Sequence, residues 1–218
     1  MYSDQAFVLH KRPYKNSSEL VKLLTLKSGL VDLISKGSRS SRSKFKGMLQ
    51  PFVLTQVFYT GRSSLKTLTE VSQQAVLKPC PYKNHVSMLY CNELLLLIGM
   101  QDEVHSEIFN AYQLTVEQLQ NSRSVSLILR KFEWFLSQNI GYELNLPASV
   151  NPTDFIEFDP LNGLQKSKQT KICSVHTFNQ FIGQQKLNSV EIKEINHLMK
   201  SVVNHMVHGK TIQSRNLL

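Results

Sequence analysis

"AFVLHKRPYKNSSELVKLLTLKSGLVDLIS", residues 6–35, decides how the first third of the chain folds. Its apolar runs are short, rich in β-branched and aromatic residues, and broken by turn signals. "AFVLHKRPY" (6–14) reads as one strand, and "ELVKLLTLKSGLVDLIS" (19–35) as two more that turn at Ser28-Gly29. Downstream, "LQPFVLTQVFYTGRSSLKTLTEVSQQA" (49–75) supplies a fourth and a fifth strand joined at Gly61. Five short strands in about seventy residues predict a small closed or partly open barrel. Lys78-Pro79-Cys80-Pro81 then breaks the pattern, because prolines two apart do not fit a sheet ladder. The reading is a barrel domain over 1–79 and a second domain over 80–218.

Beyond residue 81 the apolar period becomes helical. Helices are expected over 82–99, 104–120 and 124–140, packed as one bundle, with Gly141 as a left-handed cap. Residues 142–175, with Pro147, Pro152 and Pro160, read as irregular or short-stranded. A last helix starts at Asn188, which can cap it with Glu191, and runs to about His208.

The 218 residues are 41% hydrophobic, enough for a buried core, and carry a formal charge of +9. Residues 1–79 hold 13 Lys and Arg against 4 Asp and Glu, whereas 80–218 hold 12 of each. Solubilising charge would be spread evenly; this excess marks a polyanion-binding module. Cys80, Cys91 and Cys173 are too few and too widely spaced for a disulfide framework. "LLLLI" at 94–98 is far shorter than the roughly 18 apolar residues of a membrane span. The expectation is a soluble, cytoplasmic protein without a membrane partner.

"KGSRSSRSKFKG" (36–47) sits between the third and fourth strands with five cations and no acid. Such a loop, tethered at both ends, can grip phosphates without reading sequence. The candidate nucleic-acid-binding residues are Lys11, Arg12, Lys36, Arg39, Arg42, Lys44, Phe45, Lys46, Arg62 and Lys66. Tyr14, Phe52, Phe58 and Tyr59 are interleaved aromatics on which unstacked bases could rest. Phe52 and Phe58 read more naturally as core, while Phe45 lies in a polar loop where no core position is expected.

Other motifs carry less. "GRSSLKT" (61–67) has Leu65 where a phosphate-binding loop needs glycine, and it continues as a strand. His205 with His208, and Cys173 with His176, have ligand-like spacing but no paired set, so no metal or other cofactor is assigned. Asp154, Glu157 and Asp159 cluster in a proline-bounded loop that suits a solvated connection better than a Mg²⁺ site. No nucleophile or general base is specified, and no catalytic residue is assigned. In "LILRKFEWFL" (127–136), Arg130 and Lys131 stand among apolar residues. Cations beside hydrophobes suit an acidic peptide ending in an aromatic residue. Arg130 snorkelling from a bundle helix fits equally well.

"AFVLHKRPYKNSSELVKLLTLKSGLVDLISKGSRSSRSKFKGMLQPF" resembles the N-terminal barrel of the bacterial recombination mediator family RecO, and "GRSSLKTLTE" its next hairpin. "YCNELLLLI", "LRKFEWFLSQNIGYELNL" and "GKTIQSRNLL" resemble that family's bundle and tail. The resemblance implies an α+β protein: an OB-fold barrel, then a helical domain with a small zinc-finger-like insert at about 142–175. It implies binding of single- and double-stranded DNA, annealing of complementary strands, and loading of RecA, together with RecR, onto strands coated by single-strand-binding protein (SSB). It also implies docking of the acidic, phenylalanine-ended SSB tail on the helical domain, with Leu129, Arg130, Lys131 and Phe132 as candidates. Many members carry four cysteines in the insert; here Cys173 stands alone, so the insert is expected to be degenerate and metal-free. The competing class is a non-annealing adaptor whose basic barrel binds RNA or an acidic protein.

Overall fold

The computed structural model describes residues 1–99, 106–142, 144–168 and 171–217. It divides into two compact units, residues 1–122 with 212–218, and 123–211.

The first unit opens with five strands: β1 (Tyr2–Tyr14), β2 (Ser18–Thr25), β3 (Gly29–Ser35), β4 (Thr55–Thr60) and β5 (Leu65–Gln73). They close into a barrel in the order β1-β2-β3-β5-β4, as expected for an OB-fold. β3 and β5 pair in parallel, and the other neighbours antiparallel. Strand periodicity aims Ala6, Val8, Val21, Leu23, Val31, Leu33 and Val57 inward, and a register shift in β5 opposite Phe58 and Tyr59 brings both Leu68 and Val71 in to join one buried cluster. Closure leaves no long sheet edge open to another chain.

α1 (Tyr82–Ile98) and α2 (Ser106–Asn121) belong to the barrel's unit. α1 is buried on most sides, through Asn84, Val86, Met88, Tyr90, Cys91, Leu94 and Leu95 among others. Two asparagines on it satisfy backbone that would otherwise be orphaned. Register slips between Val8 and His10, and the Leu9 carbonyl in that bulge accepts from Asn92 Nδ2 at 3.0 Å. Asn84 Nδ2 donates to the Leu119 and Ser122 carbonyls at the end of α2. Phe7, on the outer face of β1, packs on Phe109 and Tyr112 of α2, with ring centroids 5.3 and 5.1 Å away. Glu93 receives the backbone N–H groups of Gln213 and Ser214, which fixes the closing 3-10 turn Gln213–Leu217 on α1.

The second unit contains α3 (Ser126–Asn139), β6 (Phe155–Asp159), β7 (Gly163–Lys166), β8 (Cys173–Ser174), α4 (Val175–Ile182) and α5 (Ser189–Met206). α3 packs on α5, so the three helices expected in one bundle are shared between the two units. Gly141 takes φ 87° and Tyr142 N–H reaches the Ser137 carbonyl, the cap expected after α3. Asn188 and Glu191 form the expected capping box on α5. The irregular insert is a three-stranded sheet in the order β7-β6-β8, followed directly by α4. Ser174, whose side chain accepts from Thr177 N–H, starts that helix, which the sequence reading did not include. The expected start of α2 at residue 104 lies outside the described residues.

Candidate nucleic-acid interface

The loop after β3 is built rather than slack. Gly37 and Gly47 adopt φ of 70° and 74°, a backbone that other residues avoid. Between them the chain winds through successive turns, with Ser40 N–H on the Gly37 carbonyl, Ser43 on Ser40, Lys46 on Ser43 and Met48 on Phe45. Its first half docks on the β1–β2 turn, where Arg39 N–H donates to the Ser17 carbonyl at 2.8 Å and Arg39 Nη1 reaches the Lys15 carbonyl at 3.4 Å. Its second half docks on β5, where Gln73 Nε2 donates to the carbonyls of Gly47 and Met48.

Phe45 corrects the sequence reading. It is 8% exposed and, with Leu49, joins the barrel's core cluster. A loop reaches the interior of a closed barrel only through an end, so these two side chains plug one. Lys44 stands above the plug, with Nζ 5.1 Å from the Phe45 ring centroid and donating to the Thr69 carbonyl at 2.8 Å. A ring so enclosed has no face for a base. Tyr59 and Phe52 are buried as well, at 2% and 4% exposure, while Tyr14 and Phe58 are half-buried.

The plug leaves the cations outside. Lys36, Arg39, Arg42, Lys44 and Lys46 are exposed, as are Lys11, Arg12 and Arg62, and Lys66 is half-buried. Three of the barrel's four acids are occupied locally. Asp4 is buried and accepts from Lys27 N–H and Ser28 Oγ, Asp32 pairs with Lys22 at 2.9 Å, and Glu19 lies 3.9 Å from Lys11. Glu70 is exposed. The loop therefore presents positive charge with little local opposition, the condition for phosphate contact.

A second candidate surface joins Arg12 to side chains that the sequence reading did not single out. On β2 and β3 the side chains that alternate with the core residues are Leu20, Lys22, Asp32 and Ile34. Register sets Arg12 beside Leu20, His10 beside Lys22 and Leu65 beside Asp32. Together His10, Arg12, Leu20, Lys22, Asp32 and Leu65 line a cavity of about 330 Å³. Strands 2 and 3 with the β4–β5 turn are where OB-folds take oligonucleotides. The legible signal was alternation along β2, but which parity faced outward depended on closure.

"GRSSLKT" forms the β4–β5 turn and the start of β5, so no helix N-terminus faces a phosphate there.

In the second unit, α3 turns Leu129 and Phe132 inward, at 5% and 2% exposure, which corrects their candidacy for contacting a partner. Arg130 Nη2 is 2.6 Å from the buried Glu133 carboxylate. Lys131 is exposed, and Trp134 and Phe135 are half-buried. Trp134 lies edge-on to Phe178 and Phe181 of α4.

The remaining polar candidates serve the local fold. Cys173 is buried, and desolvation, with Glu194 nearby, pushes its thiol up to about 12. His205 packs against the rings of Tyr142 and Phe158. Among the described residues no three His, Cys, Asp or Glu side chains converge as a metal-holding group. Asp154 pairs with Lys166 at 2.8 Å, Asp159 caps its own turn, and Glu157 accepts from Ser167 Oγ. No described helix is long and apolar enough to cross a membrane.

Comparison with known proteins agrees with the barrel and extends beyond it. Residues 1–75 match the family model "Recombination protein O N terminal". The DNA repair protein RecO of Coxiella burnetii (strain RSA 493 / Nine Mile phase I) is 31% identical over 228 residues, covering 99% of this chain and 96% of the relative. That of Tolumonas auensis is 41% identical over 165 residues, 72% of this chain and 69% of the relative. That of Haemophilus influenzae (strain 86-028NP) is 38% identical over 154 residues, 69% and 65% of the two chains. With a closed five-stranded barrel, a helical region after it and a full-length relative at this identity, the chain belongs to the RecO family.

Proposed function

We propose that this protein is a recombination mediator of the RecF pathway that holds single- and double-stranded DNA on its basic barrel and anneals complementary strands. Its role is in DNA repair and recombination. The observation that carries the finer reading is the β3–β4 loop, an ordered, acid-free array of five exposed cations pinned to the barrel at both ends. Tethering spares most of the ordering entropy that a disordered basic tail gives up on binding. The loop grips backbone, while the β2–β3 face offers apolar surface to bases. Annealing follows when two strands, each partly neutralised, are held in one field without their bases being covered. No covalent step is needed, so the protein is not an enzyme in this reading.

With RecR, the bound strand is exchanged from SSB to RecA, and the SSB tail is recruited through the helical region. Lys131 is the candidate cation for that tail's carboxylates, since Arg130 is engaged by Glu133. Its working place is the bacterial cytoplasm, at the nucleoid during repair.

The test is annealing of complementary strands, naked and then SSB-coated, with single-strand affinity measured against salt. If about five phosphates are neutralised, the log–log slope should be about −3.5, and removing three cations (Arg39→Ala, Arg42→Ala, Lys46→Ala) should bring it towards about −1.4. A slope near zero, or unchanged binding by the triple variant, overturns the loop's assignment. Tight RNA binding without annealing would favour the adaptor class.

A further inference from the structure

Tyr2 and Tyr59 are direct partners in the β1–β4 ladder, and their rings stack with centroids 5.4 Å apart and planes 19° off parallel. Tyr59 is fixed from below. It is 2% exposed, its hydroxyl donates to Ser28 Oγ at 3.0 Å, and Ser28 Oγ donates to the buried Asp4 carboxylate at 3.1 Å. Tyr2 lies on this support yet is 50% exposed. Lys66 Nζ is 5.6 Å from the Tyr2 ring centroid. Both tyrosines, with Lys66, Lys22, Asp32 and Ser64, line a cavity of about 460 Å³, within the range of pockets that hold small ligands.

A single surface aromatic means little. Here a half-exposed ring is pre-stacked on a rigid one, a cation stands against it, and both border one cavity. We propose that Tyr2 is the platform on which one unpaired base of single-stranded DNA stacks, with Lys66 taking the adjoining phosphate. This rests on the DNA-binding reading above and adds a base subsite to it. The charges sort base from backbone. Lys22 and Asp32 pair at 2.9 Å, so their side of the cavity carries little net charge and suits a base. Lys66 donates to the Gly61 carbonyl through a flexible stem, so its ammonium can move from ring to phosphate as the base arrives. Because Tyr59 already orients Tyr2, stacking orders little that is not ordered beforehand. Every base has a π-face, so the subsite is tolerant of sequence, as an annealing protein requires.

The experiment measures anisotropy of a labelled oligothymidylate, and of an equally long strand of abasic residues, with wild type, Tyr2→Ala, Tyr2→Leu and Tyr2→Phe. Tyr2→Leu keeps an apolar cover over Tyr59, which guards against misfolding as the cause. Oligothymidylate affinity should fall roughly 5- to 150-fold in the Ala and Leu variants and return in Tyr2→Phe, with the salt slope unchanged. The abasic strand should bind all four proteins alike. Undiminished oligothymidylate binding by Tyr2→Ala and Tyr2→Leu overturns the subsite alone. Equal loss on both strands does so too, since the defect would then lie in the fold or in backbone contacts. If wild type binds neither strand, the DNA-binding reading falls with it.

Discussion

Nη2 of Arg130 lies 2.6 Å from Oε1 of Glu133, three residues further along α3, and the Glu133 side chain has no solvent exposure. Arg130 is one partner of this buried carboxylate, and breaking a buried pair is costly, so Arg130 is bound to the fold before it is available to any partner. Arg130→Ala should destabilise the protein by about 3–5 kcal/mol, read from urea unfolding. Lys131→Ala, at an exposed position, should leave stability within about 0.5 kcal/mol. The same pair separates structure from recruitment. An acidic, Phe-terminated peptide should bind Lys131→Ala more weakly than wild type under conditions where both are folded. Equal affinity would remove Lys131 from the recruitment reading.

Phe45 divides its loop into a plug and a grip. Phe45→Ala empties a position in the barrel core and should cost about 3–5 kcal/mol. Phe45→Leu should cost less, because much of the volume remains. Arg42→Ala, in the same loop but outside the core, should barely move stability while weakening single-strand binding. A variant of Phe45 that loses DNA affinity at full stability would contradict the plug.

Asp159 gives the β6–β7 hairpin a pH dependence. Its carboxylate accepts from Leu161 and Asn162 N–H, and these backbone hydrogen bonds hold its pKa below the ordinary aspartate value. A depressed folded pKa means the contribution is fully present above the unfolded value of about 3.9 and is lost as pH falls through the folded one. Asp159→Ala should therefore melt below wild type at pH 7, and the gap should close in acid. A gap that persists undiminished in acid would assign the effect to packing instead.

Much of this architecture can be read along the chain. The five strands and the Ser28-Gly29 and Gly61 turns depend on local residue preference and short-range turn chemistry, which act within a few residues. The same holds for the Asn188–Glu191 capping box and the cap at Gly141. α4 was less legible, because a helix of eight residues directly after a strand leaves little periodic signal. Within the interface, the basic loop was visible as composition. Its division was not: Phe45 looks polar-flanked in sequence, and only the barrel's open end makes its position apolar.

The charge asymmetry, the five-strand order of the barrel and the family likeness are legible along the chain, since each is a property of neighbouring residues or their tally. Tertiary structure alone decided which cations stay exposed, that Leu129 and Phe132 face inward while Arg130 is paired to Glu133, and that Tyr2 stacks on Tyr59. Tyr2 and Tyr59 are far apart in the sequence, on the first and fourth strands, and meet because β1 pairs with β4. Closure brings distant residues together and gives each strand an inside and an outside, and neither relation exists before the barrel shuts.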